Sequence, residues 1–209
     1  KSIGEYAFGF CRDLTYLGLP EGLEVIEAYG VECCYSLDMV QLPESLHTLE
    51  DQAFWGSGQT QMHIPAGLLE IGEGAFGYGG GSFEEITVSE DNPNYKAVDG
   101  VLFTADGTVL LCYPQGREGA YTVPDGVKEI GTLAFARNTD VTAVTLADTV
   151  ESISDRAFLG CESLESMEIP DSVWYIANSA FADCDALEYL IVSEENTLFY
   201  EGDVEIERR

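Results

Sequence analysis

The feature that most constrains this chain is a pair of landmarks that recurs at nearly constant spacing. One is Ala-Phe, at Ala7-Phe8, Ala53-Phe54, Ala75-Phe76, Ala134-Phe135, Ala157-Phe158 and Ala180-Phe181, with Gly30-Val31 in the same place of the second copy. The other is an aliphatic residue, usually followed by proline: Leu19, Leu42, Ile64, Val88, Val123, Leu146, Ile169 and Val192. Successive aliphatics stand 23, 22, 24, 35, 23, 23 and 23 positions apart. A fixed period of roughly 20–50 residues marks an array of stacked units rather than one globular core.

The unit reads Ile-x3-Ala-Phe-x2-Cys-x2-Leu-x2-Leu-x-Leu/Ile-Pro-x2-Val/Leu, as in Ile153, Ala157-Phe158, Cys161, Leu164, Met167, Ile169-Pro170 and Val173. Neither helical periodicity nor alternation runs through a whole unit. Alternation is local, at Leu17-x-Leu19, Val40-x-Leu42, Val144-x-Leu146 and Met167-x-Ile169, and reads as a short strand with one buried face. Proline ends the strand because it cannot donate to the ladder. The Ala-Phe segment is expected as a tight turn or a single helical turn on the opposite side. One such coil cannot bury its own apolar edge; stacked coils can. The expectation is a single repeat solenoid over 1–209, with short parallel strands on one face and turns or short helical segments on the other.

The 35-residue step holds an enlarged coil, 89–122. Val98-Asp99-Gly100-Val101-Leu102-Phe103 and Ala105-Asp106-Gly107 lead to Val109-Leu110-Leu111-Cys112. Apolar runs separated by Asp-Gly signal a β-hairpin, inside the stack or projecting from it. The segment 193–209 opens with Val192-Ser193-Glu194-Glu195-Asn196, like Val88-Ser89-Glu90-Asp91-Asn92, and reads as the start of a second enlarged coil or a terminal segment.

The unit and the Asn92-Pro93-Asn94-Tyr95…Asp99-Gly100-Val101-Leu102-Phe103…Tyr113-Pro114…Tyr121-Thr122-Val123-Pro124 stretch resemble the BspA-like leucine-rich repeat family over essentially the whole chain. Gly30-Val31 in place of Ala-Phe, Ala147 in place of proline, and Ser57 and Asn138 in place of cysteine are local departures. The resemblance implies a leucine-rich-repeat solenoid from a bacterial cell-surface or secreted protein, extracellular, linked to adhesion or host and cell interaction. It also implies a binding platform without chemistry of its own, whose ligands vary.

Charge narrows the partners. With 38 acidic and 9 basic residues the formal charge is −29, which repels phosphate backbones and anionic headgroups. Nucleic acid is excluded as a partner on this ground, while basic proteins and divalent cations stay open. No apolar run approaches the roughly 20 residues of a membrane span, so this segment is not expected to insert. It begins directly in patterned sequence without a signal peptide and is expected to be a monomeric piece of a longer protein.

Candidates for chemistry weaken one by one. Cys11, Cys34, Cys161 and Cys184 share one repeat position, a slot for a small core residue. Buried free thiols, disulfides between adjacent coils and a metal site are the alternatives there, and no Cys-x2-Cys pair favours the metal. His47 and His63 are the only histidines, too few and too isolated for a catalytic triad. The Ser89–Asn92 run, Asp99-Gly100 and Asp106-Gly107 gather oxygens but lack calcium-loop spacing, and turn chemistry accounts for Asp-Gly. The glycine-rich run 77–81 is not a phosphate loop, having no strand before it and no helix after. No enzyme activity and no cofactor are expected.

A ligand is expected on the outward side of the strands, where residues flank the buried aliphatics. The candidate binding residues are Tyr16, Met39, Gln41, Gln61, His63, Thr87, Thr145, Glu168, Tyr189 and Ile191. This strip is less acidic than the chain and rich in residue types found at interface cores. The partner expected there is a protein or a glycan, with the Asp106 hairpin as a rim. The alternative function is a structural spacer that presents other domains.

Overall fold

The computed structural model describes residues 1–77, 83–196, 200, 202 and 204–209. They form a β-solenoid of about eight turns, with no helix among the described residues. The first part carries β1 (Ser2–Ile3), β2 (Tyr16–Leu17), β3 (Val25–Ile26), β4 (Met39–Val40), β5 (Thr48–Leu49), β6 (Gln61–Ile64), β7 (Glu70–Ile71) and β8 (Glu85–Val88). The enlarged coil supplies β9 (Tyr95–Val98), β10 (Val101–Thr104) and β11 (Val109–Cys112). Then follow β12 (Gly119–Thr122), β13 (Glu129–Ile130), β14 (Val141–Thr145), β15 (Ser152–Ile153), β16 (Ser166–Glu168), β17 (Tyr175–Ile176), β18 (Tyr189–Val192) and β19 (Glu205–Arg208).

The strands expected at the aliphatic landmark run parallel from coil to coil, as in Tyr16↔Met39, Met62↔Ile86, Val144↔Tyr121 and Met167↔Leu190. This long lane is not continuous: it is divided into β2-β4, β6-β8, β12-β14 and β16-β18-β19. A second lane was not legible in the sequence. Mostly two residues wide, it pairs Ile3↔Ile26↔Leu49↔Ile71 and Leu110↔Ile130↔Ile153↔Ile176, all parallel. Two residues cannot display an alternating pattern, so these strands look like turn in the sequence.

The Ala-Phe segment is a turn. Non-glycine residues in the left-handed region stand before the Ala position (Tyr6, Tyr29, Gln52, Leu133 and Arg156) and two after the Phe position (Phe10, Cys33, Arg137 and Asp183). These residues prevent a helix and swing the amides along the solenoid axis. The amide at the Phe position donates to the next coil's Ala-position carbonyl, as in Val31 to Ala53, Phe54 to Ala75, Phe135 to Ala157 and Phe158 to Ala180, at 2.7–2.9 Å. The turn is therefore a third hydrogen-bonded lane, and its bonds offset left-handed strain of roughly 1 kcal/mol per residue.

The enlarged coil holds two hairpins rather than one. β9 and β10 are antiparallel through Asp99 (φ 48°) and Gly100 (φ 76°), and β10 and β11 through a turn with Gly107 at φ 79°. Both central residues of the first turn have positive φ, the conformation two-residue hairpins favour. The meander lies inside the stack. Its last strand enters the short lane beside β13, and Tyr95 caps the end of β7, accepting from the Ile71 amide at 2.9 Å.

The meander also divides the core. In β10, Val101 and Phe103 pack with the C-terminal cluster while Leu102 faces the N-terminal one. A strand apolar on both faces is thus a partition wall. Cys112-Tyr113 occupies the Ala-Phe place of this coil: the Tyr113 amide donates to Ala134 at 2.7 Å and its ring stacks on Phe135 at 4.7 Å. From there the aromatic column runs unbroken through Phe158 and Phe181, at 4.8 and 5.2 Å. On the tail, the described part of 193–209 adds β19 as a parallel strand beside β18. Residues 197–199, 201 and 203, and most of the 77–81 glycine run, lie outside the described residues.

The six cysteines are free thiols, and all but Cys11 are buried. The slot shared by Cys11, Cys34, Cys161 and Cys184 is a donor slot as well as a place for a small hydrophobe. Cys34, Cys161 and Cys184 each donate to the Phe-position carbonyl of the preceding coil, at 3.1, 3.3 and 2.9 Å. Ser57 makes the same bond to Val31 at 2.6 Å, and the Asn138 amide donates to Pro114 at 3.2 Å. Ser57 thus keeps the cysteine's hydrogen bond, while Asn138 moves it one residue along, to the Pro114 carbonyl beside Tyr113. Burial pushes the Cys34 thiol up to about 11 and Cys112 up to about 12, so both stay protonated.

Candidate ligand-binding face

The outward side of the long lane carries the candidate strip in two columns. Tyr16, Met39 and Gln61 stand in one column of its N-terminal part, and Gln41, His63 and Thr87 in the neighbouring one. Tyr16 and Met39 are 66% and 65% exposed. The Tyr16 ring lies across Gly18, where an added Cβ would come within 3.1 Å of its hydroxyl. His63 and Thr87 share a hydrogen bond of 2.9 Å between coils. In the C-terminal part Thr145, Glu168 and Ile191 align, and Tyr189 is half-buried beneath the Arg209 guanidinium, 5.6 Å from its ring centre.

The breaks in the lane shape this face. Tyr16, Gln41 and His63 line a shallow groove of about 220 Å³ spanning β2-β4 and β6. Gln61 reaches one of about 470 Å³ between β8 and β12, where Arg117 and Tyr121 stand beside Asp99. Thr145, Glu168 and Ile191 line the largest, about 740 Å³, where β14 and β16 lie side by side without pairing. Met39, Thr87 and Tyr189 line none of the three. The ten residues therefore do not form one site: seven are spread over successive openings and three stand outside them.

Several lining residues escaped the sequence reading. Asp148 and Asp171 follow the proline position, where that reading stopped at the strand end. Arg117 lies in the enlarged coil; its guanidinium sits 5.5 Å over the Tyr113 ring and donates to the Asp99 carbonyl. Burial pushes Tyr121 up to about 12, so its hydroxyl stays protonated. The rim turn also differs from expectation. The Asp99–Gly100 turn meets the long lane, with the Ile86 amide donating to the Gly100 carbonyl at 2.9 Å. Asp106 instead binds locally: its carboxylate accepts from the Thr104 hydroxyl at 2.6 Å and from the Thr108 amide and hydroxyl at 3.0 and 2.9 Å. Among the described residues no group of three or more His, Cys, Asp or Glu side chains is placed to hold a metal ion.

A solenoid of short parallel strands and turns, with Leu, Ile, Phe and Cys rungs, defines a leucine-rich-repeat protein. The chain belongs to the family of the BspA type leucine rich repeat region, which it matches in six copies over residues 1–98 and 119–202. The gap between the matched stretches covers most of the meander. Among solved structures it is similar to a leucine rich cell surface protein from Faecalibacterium prausnitzii A2-165, at 32% identity and a TM-score of 0.74, over 97% of this chain and 62% of that one. It also shares its fold with a leucine-rich repeat protein from Eubacterium ventriosum (24% identity, TM-score 0.79, 97% and 58% covered). The pneumococcal vaccine antigen PcpA has the same fold at 19% identity and a TM-score of 0.59, with 100% and 74% covered. The chain thus spans about three fifths of the first two. None of the curated proteins matches it.

Proposed function

We propose that this chain is a non-catalytic recognition module of a bacterial surface protein, exposed outside the cell, whose long-lane face binds a protein or glycan in adhesion. The observation that carries this reading is the strip itself. Tyr16 and Met39 stand about two-thirds exposed on a sheet face, beside imidazole, amide and hydroxyl groups, in a chain whose charge otherwise favours staying in water. Large apolar side chains kept on such a face are what interface cores use. The family and its cell-surface relative support the setting.

The test is binding of the immobilised chain to a glycan array and a panel of purified extracellular matrix proteins. The expected result is a ligand whose affinity falls at least about tenfold with Tyr16→Ala plus Met39→Ala, the loss of two interface anchors. An unchanged affinity moves the site off this face. No ligand in either panel leaves a spacer as the better reading.

A further inference from the structure

We propose that the groove between β14 and β16 takes an extended, lysine- or arginine-bearing peptide segment of a protein partner. This rests on the recognition reading above and names the partner class for one part of the face. The groove opens where the long-lane ladder parts, and its volume of about 740 Å³ is in the range of sites that hold small ligands or a few peptide residues. Its lining combines two chemistries. Ile169, Pro170 and Ile191 supply an apolar floor, while Asp148, Glu168 and Asp171 bring carboxylates, and no lysine or arginine lines it among the described residues. Long cationic side chains match both, since the aliphatic stem covers apolar surface and the charged head reaches the rim. The whole chain, at −29, attracts such a partner from a distance.

The hydroxyl tie between neighbouring coils is missing beside this groove. Elsewhere in this column a hydroxyl ties neighbouring coils together. Ser45 donates to the Leu23 carbonyl at 2.8 Å and accepts from the Gly22 amide at 2.8 Å. Thr149 donates to Val127 at 2.8 Å and accepts from Gly126 at 3.0 Å. Ser172 is the next member of that column, lines the groove, and its buried hydroxyl oxygen has no hydrogen-bond partner. Asp171 is already oriented, accepting from the Ser193 hydroxyl at 2.7 Å.

The experiment is fluorescence anisotropy of a labelled peptide alternating lysine and serine, against an equal-length peptide alternating glutamine and serine, at physiological ionic strength. It compares the unmodified chain with Asp148→Asn plus Glu168→Gln, and with Glu90→Gln plus Asp91→Asn, an equal loss of charge on an exposed loop outside the groove. All three proteins are first matched by thermal unfolding. The lysine peptide is expected to bind the unmodified chain and the loop variant alike, to bind the groove variant about tenfold more weakly, and to outbind the glutamine peptide. Equal weakening in both variants reveals diffuse attraction and overturns the groove, as does unchanged binding in the groove variant or no lysine-peptide binding at all. None of these failures touches the recognition reading, which stands or falls on the Tyr16 and Met39 result with the panels.

Discussion

The two half-stacks on either side of the meander follow one template with different rungs. In the C-terminal half the aromatic column Tyr113–Phe135–Phe158–Phe181 is continuous, with ring centres 4.7–5.2 Å apart. In the N-terminal half Val31 interrupts it, Phe8 is only half-buried, and Phe54 and Phe76 stand 6.4 Å apart. That half also places Gln59 where other coils have a core leucine; the residue is 2% exposed, and its side-chain oxygen has no hydrogen-bond partner. Its exposed aromatics are displayed outward, among them Tyr6, which stacks on Tyr29 at 5.0 Å. In a solenoid, stability is nearly a sum of coil and neighbour terms. Uneven rungs therefore mean uneven local stability, and the meander wall is where the two cores part.

The largest expected effect comes from breaking the continuous column. Phe158→Ala leaves a cavity between two stacked rings and should cost about 3–5 kcal/mol in urea unfolding. Phe8→Ala should cost less than half of that; equal costs would erase the distinction between the halves. Next is repair of the weaker half: Gln59→Leu removes a buried carbonyl without a partner and should stabilise by about 1–2 kcal/mol, read as a raised Tm. A lowered Tm would show that Gln59 is held by a bond that matters. Smaller still is the donor slot. Cys161→Ser keeps a donor for the Phe135 carbonyl and should cost about 1 kcal/mol less than Cys161→Ala; equal costs would return the slot to plain packing.

The smallest effect concerns the wall itself. Three hydrogen bonds from Thr104 and Thr108 hold the exposed Asp106 carboxyl down to about 2, below the ordinary value of roughly 3.9. A lowered carboxyl stabilises the folded chain fully above about pH 4 and ceases to do so as the pH falls through about 2. Asp106→Asn should therefore weaken the chain slightly near neutrality and leave its acid limb shallower, as followed by thermal unfolding from pH 5 to pH 2. A parallel acid limb in the variant would remove Asp106 from the balance.

How much was legible in the sequence follows from what leaves a periodic trace. The long-lane strands did, because Met167-x-Ile169 and its equivalents alternate, and so did the Asp106-Gly107 hairpin, because Asp-Gly between two apolar runs marks a tight turn; the second hairpin, through Asp99–Gly100, shows only in the structure. The short lane did not, its strands being mostly two residues long. Tyr113 was missed as the Phe-position residue because Cys112-Tyr113 does not match Ala-Phe; the backbone bond to Ala134 and the ring stack on Phe135 show the equivalence. The outward positions of the candidate strip were readable from strand alternation. The breaks between β4 and β6, β8 and β12, and β14 and β16 were not, since they arise from how neighbouring coils settle rather than from a motif. Asp148, Asp171 and Ser172 escaped with them.

The most direct test of the divided stack is native-state hydrogen exchange read at matched interior rungs. The amides of Val31 and Phe54 bond across coils at 2.9 and 2.8 Å, and those of Phe135 and Phe158 at 2.7 and 2.8 Å, so bond length does not separate them. The expected result is that Phe135 and Phe158 exchange only through the most costly opening, while Val31 and Phe54 exchange through a cheaper one that stops at the meander. Equal protection on both sides of β10, or greater protection in the N-terminal half, would contradict a core divided at the wall.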